Sequence, residues 1–452
     1  MGTRLSSSRL YAHLWGTPEL DGVFDEPAMV QTWLDILVAL ARAQASLEMI
    51  PAASAAAIAV GARVEALDLD YVAEQTRLTS HSTLGLIRGL LRVLPEQVRE
   101  HVYVGATVQD VSDTWFGLVM RDVGGIVWRD LRALEDRLLT LATAHRETVM
   151  AGRTHGQPGA PITFGFKVAS WADEVRRHLD RLREGRPRWV VGQLAGAVGA
   201  LGFFGDRGPE LRARFCAELG LGDPGISWTT SRDRVAEFGT VLAMVCGTLG
   251  RIGGEVYELS RPELGELAEA APPGAVSSIT MPHKRNPETS EHLDTLARLA
   301  RSSAAVLVEG MVAGHERDGR SWKAEWLALP EVCQLTGSAL RLALGLLDGL
   351  EVHPEAMAAT VARYAADLGS EQVLAGLSGR LGKHRAQQVL HEVLRQDRGA
   401  SRTGLVARGV ASDDEVRGWE GSPGVQAAAA MVDQVCRRAA AARATEPERW
   451  TL

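Results

Sequence analysis

The run Ser277-Ser278-Ile279-Thr280-Met281-Pro282-His283-Lys284-Arg285-Asn286-Pro287 sets hydroxyls, basic side chains and an amide just before a helix start. Ala271-Pro272-Pro273-Gly274 upstream cannot continue a helix, whereas Asn286, Pro287 and Glu288 suit a cap and first turn. The stretch therefore reads as a loop feeding a helix N-terminus. Free backbone N–H groups there attract a carboxylate or phosphate, Lys284 adds a movable positive charge, and a hydroxyl in such a field loses its proton more easily. A solvated basic loop closed by an ordinary cap is the competing reading.

Two further turns carry chemistry. Gly152-Arg153-Thr154-His155-Gly156-Gln157-Pro158 places an imidazole, able to exchange a proton near neutral pH, on a glycine- and proline-rich turn. Gly105-Ala106-Thr107-Val108-Gln109-Asp110 offers a hydroxyl and an amide at the start of another helix, where Thr107 and Asp110 also suit simple capping. Gln193, before a glycine-rich turn, and His81, in Thr79-Ser80-His81-Ser82, are weaker candidates.

These stretches resemble the fumarase/aspartase superfamily. The first is similar to its signature loop, Gly-Ser-Ser-x-Met-Pro-x-Lys-x-Asn-Pro, in the His-Lys-Arg form of the adenylosuccinate lyase and 3-carboxymuconate cycloisomerase branch. The others are similar to its Thr-His-Gly-Gln-Pro and Gly-Ala-Thr-Ser-Gln-Asp motifs. The resemblance runs from about Leu14 to about Leu346 and implies Ser278 as catalytic base and His155 as a proton donor. It implies Thr107, Gln109, Thr154, Gln193, Met281, Lys284, Asn286 and His81 as substrate-binding residues. Counting back from Met281 puts Ser278 on the family's first serine; with an insertion in the loop, Ser277 takes that role.

The chain departs from the family pattern in several places. Val108 replaces a serine donor, Ser82 an acid, and Trp326 the arginine of the lyases' Ser-Ala-Glu-Arg element, which argues against a nucleotide phosphate as ligand. His315-Glu316-Arg317-Asp318 and Trp322-Lys323-Ala324-Glu325-Trp326 resemble the cycloisomerase branch, yet those enzymes commonly carry tryptophan where this chain has His155. The implied reaction is β-elimination from a substituted succinate, with C–N cleavage favoured and a nitro- or other nitrogen-substituted succinate in view, giving fumarate without metal or organic cofactor. Charge building on the substrate carboxylate needs donors already in place. Lactonisation of a carboxymuconate and a non-catalytic binding homologue are the alternatives. The resemblance also implies a homotetramer whose active sites are shared between subunits.

The elements that must hold these turns are helices. Val235, Phe238, Leu242, Val245, Leu249, Ile252, Val256 and Leu259 alternate three- and four-residue steps, a heptad stripe that fits a long-helix bundle and gives modest independent support to assembly. Gly247, Gly250, Gly253 and Gly254 on that helix suggest close backbone approaches. Val127, Leu131, Leu134, Leu138 and Leu141 predict a second helix, Ile162, Phe166, Val175, Leu179 and Leu182 a third, and Val30 to Leu47 a fourth, stopped by Pro51. Further helices are expected after Pro287 and Pro330. The expectation is an all-α, three-domain chain: 1–102, a central bundle 103–349 bearing the signature loop, and a small helical domain 350–452.

Composition narrows the partners. With 452 residues, 46% hydrophobic, the chain exceeds one ordinary core. A net charge of −7 with interspersed signs argues against nucleic acid. Cys216, Cys246, Cys333 and Cys436 are too scattered for a zinc site or disulfide framework. No signal-type leader or run of eighteen apolar residues is present, so a cytoplasmic protein without a membrane partner is expected. Dinucleotide, phosphate-loop, serine-hydrolase and zinc-protease motifs are absent from the sequence.

Overall fold

A computed structural model describes residues 8–450 except 271–273, 275, 277, 282, 397–400 and 421–424. Ser277, the alternative base, lies outside the described residues. The N-terminal part carries α1 (Pro18–Phe24), α2 (Glu26–Ser46), α3 (Ala52–Gly61), α4 (Leu69–Thr79), α5 (Leu84–Val93) and α6 (Glu96–Arg99). The middle holds α7 (Val108–Ala144), β1 (Val149–Thr154), β2 (Gln157–Thr163), α8 (Phe164–Trp189), α9 (Gly208–Glu218), α10 (Asp233–Leu259), β3 (Leu267–Glu269), α11 (Glu288–Glu309), α12 (Gly319–Asp348) and β4 (Leu350–Val352). Then follow α13 (Pro354–Arg363), α14 (Ala365–Leu368), α15 (Ser370–Leu381), α16 (Lys383–Gln396), α17 (Ser401–Ala407), α18 (Asp413–Glu420) and α19 (Gln426–Arg443). The chain is predominantly helical, as its periodicity predicts.

The five long helices α7, α8, α10, α11 and α12 form an up-and-down bundle. Arg232, just before α10, bonds to Asp113 near the start of α7 and Glu325 near the start of α12, so three N-termini share one end. Arg137 on α7 pairs with Asp348, the last residue of α12, at the other end. Every residue of the α10 heptad stripe is buried, and this helix, apolar and long enough to cross a membrane, has 72% of its most apolar window inside the fold. It is a core helix. Of the four glycines singled out on it two are close approaches: a Cβ on Gly253 would stand 3.0 Å from the Ser290 carbonyl, and one on Gly250 2.8 Å from the Ala297 methyl. Gly247 and Gly254 meet nothing and need another explanation.

Three local expectations change. Ile162 belongs to a strand, because residues 149–163 form an antiparallel hairpin and α8 starts only at Phe164, where the Thr163 hydroxyl accepts the Phe166 amide at 3.1 Å. Pro330 lies inside α12 instead of starting a helix. Asn286 does not cap α11: Pro287 holds the cap position, and the Glu269 carboxylate reaches over from β3 to accept the Thr289 and Ser290 amides at 3.1 and 2.8 Å. The N-terminus expected to greet an anion is already occupied by one of the chain's own.

Val373, Leu377, Val389, Leu390, Val393, Leu405 and Val416 form a separate small core. Helix α19 and the segment after it return to the bundle. Arg176 on α8 there bonds to Glu135 of α7 at 2.5 Å and to Glu446 at 2.5 Å, all three buried, while the Trp450 ring covers Gly124 of α7.

Candidate functional site

At the end marked by Arg232, four loops converge on the Thr107 turn. Asp110, 2% exposed, accepts the Thr107, Ala195 and Gly196 amides at 2.9, 2.8 and 3.1 Å, fastening the start of α7 to the 193–199 loop. The Thr107 hydroxyl accepts from Arg317 at 2.9 Å, and Arg317 reaches the Gly196 carbonyl at 3.4 Å. Gln109 donates to the Thr229 carbonyl at 2.7 Å, while the Thr229 hydroxyl donates to the Glu316 carbonyl at 2.8 Å. Gln193 is fully buried and accepts the Trp228 amide at 3.3 Å. Among the described residues Gln109 Oε1 and Gln193 Nε2 find no partner. His81 is exposed at the edge of the N-terminal helices, its Nδ1 accepting the Leu84 amide at 3.3 Å.

These loops store strain. Tyr103, Leu201 and His315 adopt the left-handed region without being glycine, a feature that gathers at functional sites. Gly105 does so as well, and a Cβ there would strike the Phe204 ring at 2.3 Å.

Burial pushes the Asp110 carboxyl up to about 7, with the three amide donors pulling against it. Because this lies above the ordinary aspartate value, folding takes up a proton between the two, a contribution that favours the folded state in acid and fades as pH rises through about 7. The stability advantage of wild type over Asp110→Asn is therefore expected to shrink between pH 5 and 8, as followed by thermal unfolding across that range. A constant difference would remove Asp110 as the titrating group.

The opposite end holds the other motifs. His155 and Gly156 form the tip of the β1–β2 hairpin, both at positive φ, 52° and 75°, the geometry of a two-residue turn, and Thr154 and His155 are exposed. Arg153 grips the fully buried carboxylate of Glu266 at 2.7 and 3.0 Å, tying the hairpin to β3. The signature loop then leaves β3 and is anchored on its return by Arg285, which bonds to Glu351 and to the Glu269 carbonyl, both at 2.7 Å. Within it the Ser278 hydroxyl accepts the Met281 amide at 3.0 Å, and the Met281 carbonyl accepts the Lys284 amide at 3.0 Å. A hydrogen bond donated to the serine oxygen favours its deprotonated form. Met281 and Lys284 are exposed and Asn286 half-buried.

One chain thus divides the candidate residues between two poles. Thr107, Gln109, Gln193 and His81 belong to one; Thr154, His155, Ser278, Met281, Lys284 and Asn286 to the other. Between them lies α7, whose 37 residues span about 55 Å at ~1.5 Å each. Asp110 closes the capping box with Thr107 that the sequence suggests, and Arg317 had no role assigned from sequence. Both stand in the quoted motifs, but only the folded turn reveals that Arg317 holds the Thr107 hydroxyl and that Asp110 also ties down the Ala195 and Gly196 amides.

Residues 15–300 match the lyase family. The chain is 40% identical over 392 residues to N-acetyl-S-(2-succino)cysteine lyase of Dickeya dadantii, covering 87% of this chain and 86% of that one. It is 36% identical to 3-carboxy-cis,cis-muconate cycloisomerase of Pseudomonas aeruginosa, covering 86% of each. Its fold superposes on fumarate lyase from Mesorhizobium sp. BNC1 with a TM-score of 0.84 at 31% identity, covering 93% of this chain and 98% of that one. Motifs, helical bundle and these likenesses agree, and the chain belongs to the fumarase/aspartase superfamily of lyases.

Proposed function

We propose that the protein catalyses reversible β-elimination from a substituted succinate to release fumarate, with the two poles meeting between subunits of a homotetramer. Ser278 Oγ takes the proton from the carbon beside one carboxylate, the electron pair left there forms the double bond, and the bond to the leaving heteroatom breaks with its electrons on that atom. The leaving group gains a proton, from His155 or water, and Ser278 returns its own to solvent. Thr107, Gln109, Gln193 and Asn286 contact the diacid, and Lys284 steadies the doubly charged enolate. Thr154, Met281 and His81 line the same site.

The observation that carries the base assignment is the Ser278 hydroxyl accepting the Met281 amide within a loop that also presents Lys284. The heteroatom is assigned on similarity: the Dickeya relative is named for cleaving a succinylated sulfur, which moves the preference from nitrogen to sulfur. A thioether suits the site, because a thiolate leaves with less proton assistance than an amine and His155 is exposed.

The test is the ultraviolet absorbance of fumarate mixed with enzyme and thiols or amines. Loss of absorbance with thiols, faster than with amines, is expected. Addition of amines alone would restore C–N cleavage, lactone formation from carboxymuconate would replace the elimination, and inertness toward all of them would leave a binding homologue.

A further inference from the structure

Among the described residues Tyr103 is the bulkiest of those that adopt the left-handed region without being glycine, with φ at 60°. A side chain of that size meets steric strain there, and such a conformation persists only where the surroundings impose it. Here they do. Buried Gln44 on α2 donates to the Val104 carbonyl at 2.9 Å, the Tyr103 carbonyl accepts the Ala106 amide at 3.3 Å, and the Phe204 ring closes on Gly105. The backbone of the turn is held on both sides of Tyr103, which fixes where its ring leaves the chain.

The ring joins two segments that are far apart in their motifs. Its phenol lies beside the hydroxyl of Thr83, two residues past His81, and within electrostatic reach of Asp110 and of Arg317, the residue that donates to the Thr107 hydroxyl at 2.9 Å. Thr83 and Asp110 are buried beneath, whereas His81 is exposed and Tyr103, Thr107 and Arg317 each keep part of their surface. Packing alone would be served by phenylalanine. A phenol grouped with a threonine hydroxyl and a guanidinium is a donor set suited to a carboxylate. Burial pushes the phenol pKa up, with the Thr83 hydroxyl pulling against it, so the group keeps its proton near neutral pH and can donate it in a hydrogen bond.

We propose that Tyr103 is a substrate-contacting residue of the Thr107 pole, its phenol donating to the same diacid carboxylate that Thr107 holds. The assignment rests on the elimination reading and deepens it: two uncharged hydroxyls grip the carboxylate, Arg317 supplies the positive charge behind them, and the strained turn keeps the phenol in place before the diacid arrives.

Succinate, which carries both carboxylates and no leaving group, tests it by titration calorimetry on the assembled enzyme. Tyr103→Phe should weaken succinate binding at least about tenfold and raise KM for fumarate by a similar factor, with kcat changed by less than about threefold. Succinate should also produce a tyrosine ultraviolet difference band in the parent that Tyr103→Phe lacks, a signature that a packing role does not give. Tyr103→His, which keeps a ring and an N–H donor, should recover part of the lost affinity, and Tyr103→Leu should not. That second comparison decides the matter if Tyr103→Phe fails to fold.

No succinate binding by the parent, equal binding by Tyr103→Phe, or equal binding by the His and Leu variants would overturn the proposal. Binding that depends on the phenol, without turnover of fumarate with any thiol or amine, would keep the contact and reject the elimination. Turnover in which Tyr103→Phe matches the parent in KM would keep the elimination and reject the contact.

Discussion

The Ser278→Ala variant should lose turnover by about 10³-fold, in kcat more than in KM, while keeping the helical circular dichroism and sedimentation of the parent. The magnitude follows from what the hydroxyl is asked to do. Its oxygen already accepts the Met281 amide, and Lys284 adds a positive charge to the same loop, both of which would ease loss of the hydroxyl proton. Removing it leaves the contacts proposed for the diacid at the Thr107 pole in place, which is why KM should move little. Ser277→Ala is the matching control. A large loss there with little at Ser278 would shift the base by one residue, and retention in both would end the serine mechanism.

The second large effect concerns stability. Arg232 is 2% exposed and bonds to Asp113 at 2.8 and 3.0 Å and to Glu325 at 2.9 Å, with a further contact from its other terminal nitrogen to Glu325. Its guanidinium sits 5.1 Å from the Trp228 ring. Burial lowers the tendency of this cation to stay charged, yet the two carboxylates outweigh that and raise its pKa, while burial raises theirs.

Arg232→Met strands two carboxylates, and the expected loss is about 3–5 kcal/mol, measured as a lower urea midpoint. The sign with pH is set by the carboxylates. Burial raises the Asp113 and Glu325 pKa values while Arg232 pulls them down, so without the arginine they rise further and the variant loses more stability than the parent as pH climbs. The deficit should therefore be larger at pH 8 than at pH 5. An unchanged midpoint would show that the three helix starts are held by apolar packing alone.

Sequence reading located the bundle because its signal is long and periodic: the α10 stripe from Val235 to Leu259 is buried residue for residue. It missed the hairpin around His155 because those strands carry Gly152, Gly159, Pro158 and Pro161, residues poor in strand propensity, and because Ile162 happens to fall in helical phase with Phe166. Glu269 as the cap of α11 was illegible for another reason: it lies about twenty residues upstream, so no local pattern announces it. The Asp113, Arg232 and Glu325 cluster is likewise built from three distant segments, and its only local trace is a charge interrupting an apolar face. Candidate residues were legible as motifs, whereas their division between two poles needed the length of α7.

That length has a practical outcome. If a working centre draws on both extremities of the rod, and no polypeptide can touch its own far tip, then chemistry is a property of the ensemble and not of the molecule. Dilution would extinguish catalysis before it unfolded anything, making specific activity a gauge of association.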